Sequence, residues 1–200
     1  MCIRDSHYNA NPATLKAGDI IVGKNASKAA QITTDDGKQI TLVFGTAAEP
    51  CEAPFGLSQW GDQPTDRVSL DLRTTPEIEQ AVRTIDETLL AYVQAHARKY
   101  FGSSATKEKV AEFFRPTVKV HEEGKYAPLV KTKLSKSRVK VWTPTREPGS
   151  VHDIQAHSQM CVVLLVRSLY FQSKGWGVTL ECQHVRLADS APECPFEEEW

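Results

Sequence analysis

Six consecutive apolar residues, Cys161-Val-Val-Leu-Leu-Val166, decide the fold of this chain. Both faces of such a run are apolar, which is typical of a central strand that is covered on both sides in a barrel or a sheet. A strand over 161–171 is therefore predicted. A second strand is predicted over 175–187, and the two glycines that flank Trp176 indicate a hairpin or a bulge at its start.

Upstream of this region the period of the sequence changes to that of a helix. Apolar residues recur there at steps of three and four: Ile78, Val82, Ile85 and Leu89. We predict a helix over about 75–101, because Pro76 suits a first helical turn and Gly102 a helix end. A second helix over about 106–114 is stopped by Pro116.

Short β-rich runs lie on both sides of the helices. They cover residues 19–23, 38–44, 67–72, 117–121, 128–134 and 138–142. The order is strands, then two helices, then strands, with no repeat and no βαβ rhythm. The sequence therefore predicts a mainly β fold, a small barrel or sheet with a helical insertion, over one domain at 7–188.

The composition excludes several classes of protein. The longest apolar run is far shorter than the ~20 residues that cross a bilayer, and no signal-peptide pattern opens the chain, so we expect an intracellular protein with no membrane partner. The five cysteines include no C-x-x-C pair, which argues against a disulfide framework and against a zinc ribbon. The chain has no Walker loop and no nucleophile or dinucleotide motif, and the spacing of its histidines and cysteines matches no zinc pattern, so we expect no enzyme activity, no metal and no cofactor.

The start of the chain is left out of the fold. Met1-Cys-Ile-Arg-Asp resembles the translation of a sequencing adapter, so residues 1–6 are interpreted as an artefact.

Charge is segregated along the chain, although 24 Lys and Arg nearly balance 25 Asp and Glu overall. Residues 115–146 contain nine basic and two acidic residues. The last twelve residues, 189–200, contain five acids and no base, and they are predicted to be a disordered acidic tail. A cationic middle is the pattern expected of a site for a polyanion.

Strand alternation places the basic side chains together. In Pro128-Leu-Val-Lys-Thr-Lys-Leu134, one face would carry Lys131 and Lys133, and in the next strand Arg138, Lys140 and Trp142 would share a face. Two adjacent strands would then present one basic face with an aromatic ring. Cations spaced along a strand can neutralise successive phosphates, and an exposed indole can stack on an unpaired base.

Other interpretations of the same residues stay open. The lysines could protect an edge strand while Trp142 packs into the core. The face could bind RNA, because stacking and phosphate contacts do not distinguish the two sugars, or it could dock an acidic protein in a non-catalytic scaffold. Tyr126 and Trp176 are further stacking candidates, and Trp176 would equally suit the core.

Several segments together resemble one protein family. They are Thr75-Pro-Glu-Ile-Glu, Ile85-Asp86-Glu87, Tyr100-Phe101-Gly102, Phe114-Arg-Pro, Tyr126-Ala-Pro-Leu-Val-Lys-Thr-Lys-Leu134, Leu169-Tyr-Phe, Lys174-Gly-Trp-Gly-Val and Gln183-His-Val185. Over roughly residues 36–200 the chain resembles the phage-type single-stranded DNA-binding proteins, in their nucleocytoplasmic large DNA virus branch.

This resemblance implies a fold and a function. The fold would be an OB-fold-like five-stranded barrel with a helical insertion, a basic and aromatic groove, and an acidic C-terminal tail closed by an aromatic residue. Glu197, Glu198, Glu199 and Trp200 match that ending in kind. The function would be sequence-independent binding of single-stranded DNA in replication, recombination or repair, in the nucleus or a viral replication compartment. The tail would recruit replication proteins, and a homodimer is left open.

Overall fold

The computed structural model describes residues 15–23, 27–59, 65–73, 75–120 and 127–188. The segment interpreted as an adapter artefact, the stacking candidate Tyr126 and the acidic tail over 189–200 lie outside these ranges. Within them the secondary structure is as follows: β1 (Leu15–Val22), β2 (Lys28–Thr34), β3 (Ile40–Phe44), β4 (Cys51–Ala53), β5 (Leu57–Ser58), β6 (Arg67–Arg73), α1 (Pro76–Ala95), α2 (Ala97–Phe101), α3 (Lys107–Glu112), β7 (Val118–Lys119), β8 (Leu129–Ser135), β9 (Lys140–Trp142), a 3₁₀ turn (Val151–Asp153), β10 (Ser158–Gln172) and β11 (Gly175–Leu187).

The long strand β10, which contains the apolar run 161–166, organises the sheet. One of its edges pairs in turn with β2, β3 and β4, and its other edge pairs antiparallel with β11. Pairing continues from β4 to β6, from β6 to β8 and from β8 back to β11. Five strands thus close on themselves, which makes the fold a mainly β, OB-like barrel with a helical insertion, as predicted.

The described residues are divided into eleven strands, which is more than the pattern of the sequence indicated. The prediction lacks β2, β4 and β5. Strand β2 has the composition Lys-Ala-Ala-Gln-Ile-Thr-Thr, and β4 and β5 are three and two residues long. Runs this short or this poor in large apolar residues give no periodic signal. They form strands because they pair with β10 and β6, and local propensity contributes little.

The helical insertion packs on the barrel through one face. Ile78, Val82, Ile85, Leu89 and Val93 of α1 are buried, as their spacing predicts. The predicted helix over 75–101 is divided in two at His96. Its Nδ1 donates to the carbonyl oxygen of Tyr92 at 2.8 Å, so the side chain competes for an acceptor of the helix. The second predicted helix, 106–114, is shorter and covers 107–112 as α3.

None of the helices in the described ranges is long and apolar enough to span a membrane.

Candidate nucleic-acid interface

A groove of about 630 Å³ lies on the outer face of the barrel, where β6, β8 and β11 run side by side. Five basic residues line it, and Asp71 is the one acidic residue among its lining residues. The basic residues are Arg67, Arg115, Lys119, Lys131 and Lys133. Tyr170, Pro116, Val178, Leu180 and several serine, threonine and glutamine residues also line it. The groove therefore carries net positive charge.

Strand β8 contributes the two lysines at the centre. Val130, Thr132 and Leu134 are buried, and Lys131 and Lys133 are exposed between them, as alternation predicts. Strand β8 is paired with β6 on one side and with β11 on the other. Because β8 is not an edge strand, these lysines do not protect a free edge.

Strand β6 contributes the second row of groove residues. Val68, Leu70 and Leu72 point into the core, so the residues between them face outward. Across the β6–β8 pair, Ser69 is in register with Lys133, and Asp71 with Lys131. Lys133 Nζ donates a hydrogen bond to Ser69 Oγ at 2.7 Å.

Partial burial shifts the pKa values of two charged groups in the groove, Asp71 and Lys133, in opposite directions. It raises the pKa of the Asp71 carboxyl, against the opposing effect of Lys131, Lys133 and Lys119. It lowers the pKa of Lys133, an effect that the charge of Arg67 increases. A partly desolvated ammonium such as that of Lys133 gains more free energy from binding an anion than a fully hydrated lysine does.

The segment from Arg115 to Lys119 forms one wall of the groove, and a buried carboxylate of α1 holds it. Asp86 accepts hydrogen bonds from the backbone N–H and the hydroxyl of Thr117, both at 2.7 Å. The carbonyl oxygen of Thr117 in turn accepts from the backbone N–H of Lys131 at 3.1 Å. Through Thr117, α1 therefore fixes the wall that carries Arg115 and Lys119 against the strand that carries Lys131.

Arg115 is held at the other end of this wall. Its backbone N–H donates to the carbonyl oxygen of Trp176 at 2.8 Å, and its Nη2 donates to that of Lys174 at 3.0 Å. The two segments approach so closely that a Cβ atom on Gly177 would lie 2.6 Å from the Arg115 carbonyl oxygen. Glycine is therefore required at this point of β11.

Tyr170 is the aromatic side chain of the groove, and the sequence did not assign it this role. It lies on β10 in register with Gly177, and its Oη would be 3.0 Å from a Cβ added there. Its neighbours Leu169 and Phe171 are buried, so alternation places Tyr170 on the outer face. That alternation was the available signal, but it does not indicate which outward residues meet in one groove.

Strand β9 carries the other predicted residues, Lys140 and Trp142, on the outer face beyond the groove. Strands β8 and β9 do not pair with each other, so the prediction that these two strands are adjacent is wrong. They follow one another along the same edge of β11, with Lys133 beside Glu181 and Lys140 beside His184. Lys140 is exposed, and Trp142 is half-buried.

A bulge in β11 places Lys133 of β8 and Lys140 of β9 on the same outer face of the barrel. Cys182 pairs with Leu164 and His184 pairs with Val163, so Gln183 is an extra residue. Cys182 is consequently buried, whereas His184 lies on the outer face with Lys140. Burial, and to a lesser extent the charge of Lys140, lower the pKa of His184 below that of an exposed histidine.

Arg138 is exposed but already paired. Its Nη2 lies 3.1 Å from Oε1 of Glu181, and its Nε donates to Ser135 Oγ at 3.2 Å. Arg167 pairs with the other carboxylate oxygen of Glu181. The charge of Arg138 is thus partly neutralised, in contrast to Lys131 and Lys119, which make no side-chain hydrogen bond or ion pair to the described residues.

Trp176 is not a stacking residue. It is 1% exposed, and its Nε1 donates to the carbonyl oxygen of Val110 at 2.8 Å. The ring packs among Phe101, Phe114 and Phe171. The prediction that it binds a base is wrong, because the helical insertion covers the start of β11.

In the part of the chain that the structure describes, no three His, Cys, Asp or Glu side chains are grouped closely enough to hold a metal ion.

No protein-family model and no curated protein matches this chain. Among solved structures, it is similar to the single-stranded DNA-binding protein from bacteriophage Enc34, with 16% identity, a TM-score of 0.48, and coverage of 92% of this chain and 96% of that chain. The same phage protein in complex with ssDNA gives 14% identity, a TM-score of 0.45, and coverage of 86% and 94%. Its C-terminal truncation gives 14%, 0.43, and 86% and 93%. At these identities and TM-scores, the similarity does not bear on what this chain binds.

Proposed function

We propose that this protein binds single-stranded DNA in the groove between β6, β8 and β11, without strong sequence preference and without catalysis. The observation that carries the proposal is the convergence of Arg67, Arg115, Lys119, Lys131 and Lys133 on one groove that contains a single acid. These residues come from three separate parts of the chain. A solvated surface does not require such convergence, whereas a site for a polyanion does.

The aromatic residues favour a single strand over a duplex. Tyr170 lies in the groove, and Trp142 lies along the same face on β9. Base faces are accessible for stacking only when the bases are unpaired. We propose that the backbone of the strand follows the lysines, and that bases stack on Tyr170 and Trp142. Lys140 would contact a phosphate beyond the groove, and Arg138 would contribute less because Glu181 neutralises part of its charge.

A competition assay tests this proposal. A labelled oligothymidine is bound first, and unlabelled single-stranded DNA, single-stranded RNA and duplex DNA of equal length compete for it. We expect single-stranded DNA to compete best and duplex to compete poorly. Equal competition by RNA would favour an RNA-binding module, and no binding of any nucleic acid would favour a scaffold for an acidic protein.

Sequence motifs support a more specific role for this protein. The motifs quoted above support membership of the phage-type single-stranded DNA-binding family, in its large DNA virus branch. A role in replication, recombination or repair follows from that, as does a location in the nucleus or a viral replication compartment. We propose that Glu197, Glu198, Glu199 and Trp200 bind replication proteins, since an acidic segment with a terminal aromatic offers both charge and an apolar anchor. Tyr126 stays a candidate for stacking, and homodimer formation is left open.

A further inference from the structure

The one carboxylate of the groove has an unusual position for a site that binds a polyanion. Asp71 lies at the centre of β6 with its side chain on the outer face, directly across from Lys131. A carboxylate at this place repels phosphate and weakens the affinity that the surrounding lysines provide. If the groove bound only phosphate groups, a carboxylate at this position would lower its affinity.

No hydrogen bond or ion pair to the described residues explains why an aspartate lies at position 71. Within the described residues, its carboxylate makes no hydrogen bond and no ion pair within 4 Å, although Lys119, Lys131 and Lys133 surround it. The other acids near the basic face are paired differently. Glu181 binds Arg138 and Arg167, and Glu52 binds Arg73. Asp71 alone among these acids keeps its oxygens open toward the groove.

The chemistry of this position selects the ligand group. A metal cation is disfavoured by three ammonium groups, and a phosphate is disfavoured by the carboxylate itself. A neutral group with N–H donors is favoured, because it satisfies the half-buried oxygens without bringing a like charge. The exocyclic amino groups of cytosine, adenine and guanine are such donors, and carboxylates accept from cytosine N4 in known readout chemistry.

We propose that Asp71 reads the amino groups of bases in the groove, and that it gives this protein a graded preference for amino-bearing bases over thymine. This inference rests on the proposed function, because it assumes that a single strand occupies the groove. Thymine offers one N–H donor between two carbonyl oxygens, and those oxygens repel a carboxylate. Phosphates on Lys119, Lys131 and Lys133 would hold the strand while the base turns its amino group toward Asp71.

The test compares oligothymidine with oligocytidine of equal length, near neutral pH, on the wild-type chain and on Asp71→Asn. We expect the wild type to bind oligocytidine about three- to ten-fold tighter. In Asp71→Asn the preference should disappear, because the amide both donates and accepts and therefore accommodates thymine as well. The gain in affinity should be larger for oligothymidine than for oligocytidine.

Two results would overturn the inference, and they are distinguishable. If Asp71→Asn tightens binding of both oligonucleotides by the same factor, Asp71 only repels phosphate, and the proposed function stands without the base preference. If the wild type binds neither oligonucleotide, the proposed function itself fails. Thermal melting of both proteins controls for folding, and Asp71→Ser provides a second neutral variant that removes the carboxylate.

Discussion

Two tryptophans of this chain have different environments, and the difference predicts different responses to the same substitution. Trp142 is half-buried on the outer face of β9, in register with Arg186 of β11. If it stacks on a base, Trp142→Ala should weaken binding of single-stranded DNA by about 1–3 kcal/mol. Titration of an oligothymidine followed by fluorescence anisotropy measures this.

Lys140→Ala is the companion variant on the same strand. Because a lysine contacts phosphate and not a base, its loss should mainly reduce the slope of log K against log salt, by somewhat less than one unit.

Should Trp142→Ala unfold the protein and leave residual binding unchanged, Trp142 would be a core residue and the stacking would belong to Tyr170 or Tyr126.

Trp176→Ala should act on stability. The indole is 1% exposed and packs against Phe114 and Phe171, with a hydrogen bond to Val110. Removing a buried aromatic of this size costs about 3–5 kcal/mol of the free energy of unfolding. Chemical denaturation measures that loss. A variant that keeps wild-type stability but loses DNA affinity would contradict the assignment of Trp176 to the core.

At the scale of elements, the tie between α1 and the groove wall predicts a pH dependence. Burial raises the pKa of the Asp86 carboxyl to about 6, against the hydrogen bonds from Thr117. In the unfolded chain an aspartate titrates near pH ~4. Between these two values the folded state holds a proton that the unfolded state has released. The free energy of unfolding therefore falls as pH rises through this window.

Asp86→Asn removes that titration and keeps an oxygen for the backbone N–H of Thr117. We expect the stability of the wild type relative to Asp86→Asn to decrease by on the order of 2 kcal/mol between pH ~4 and pH ~7. Thermal or chemical unfolding of both proteins across this range measures it, and other titrating groups cancel in the difference. A difference that is constant with pH would contradict a raised pKa of Asp86.

Local pattern predicted those elements whose burial alternates regularly. The lysines of β8 could be placed on one face because Val130, Thr132 and Leu134 lie between and beside them. The split at His96 could not be predicted, since the apolar period continues through it from Val93 to Ala97 and Tyr100. The bulge at Gln183 could not be predicted either, because it appears only in the pairing of β11 with β10.

At the scale of the molecule, the groove depends on contacts that are distant in sequence. Arg67 and Lys133 line the same groove because β6 pairs with β8. Thr117 is held by Asp86 and accepts a hydrogen bond from the backbone N–H of Lys131. Strand alternation indicates which side of a strand a residue occupies, but it does not indicate which strands become neighbours. The sequence therefore predicted the basic strand and a barrel, but it did not assign Arg67, Arg115, Lys119 or Tyr170 to the groove.

The acidic tail predicts autoinhibition of binding. Residues 189–200 carry five carboxylates and a terminal Trp200, so the tail imitates in outline the charge and stacking surface of a short DNA strand. A tethered anion has a high effective concentration at a cationic groove of the same chain. Deleting residues 189–200 should therefore tighten binding at low salt by on the order of 1 kcal/mol, and the gain should shrink as salt screens the charges.

Paired salt titrations of the full chain and the truncation measure this gain. Superimposable curves at every salt concentration would show that the tail does not compete with DNA. Trp200→Ala in the full chain should change DNA affinity little if its main role is to dock a replication protein.

The central claim is that single-stranded DNA binds in the groove, and a matched pair of double variants tests it most directly. Lys131→Ala/Lys133→Ala removes two cations from the groove, and Lys107→Ala/Lys109→Ala removes two exposed lysines at the same spacing from α3, outside the groove lining. Each is titrated with an oligothymidine over about 50–300 mM salt.

Five groove cations predict a slope of log K against log salt of about −3 to −4 for the wild type. The groove variant should lose at least about ten-fold in affinity, and its slope should become shallower by about 1.4 units, while the α3 variant should match the wild type. Equal losses in the two variants, or a slope that the groove variant leaves unchanged, would contradict the claim.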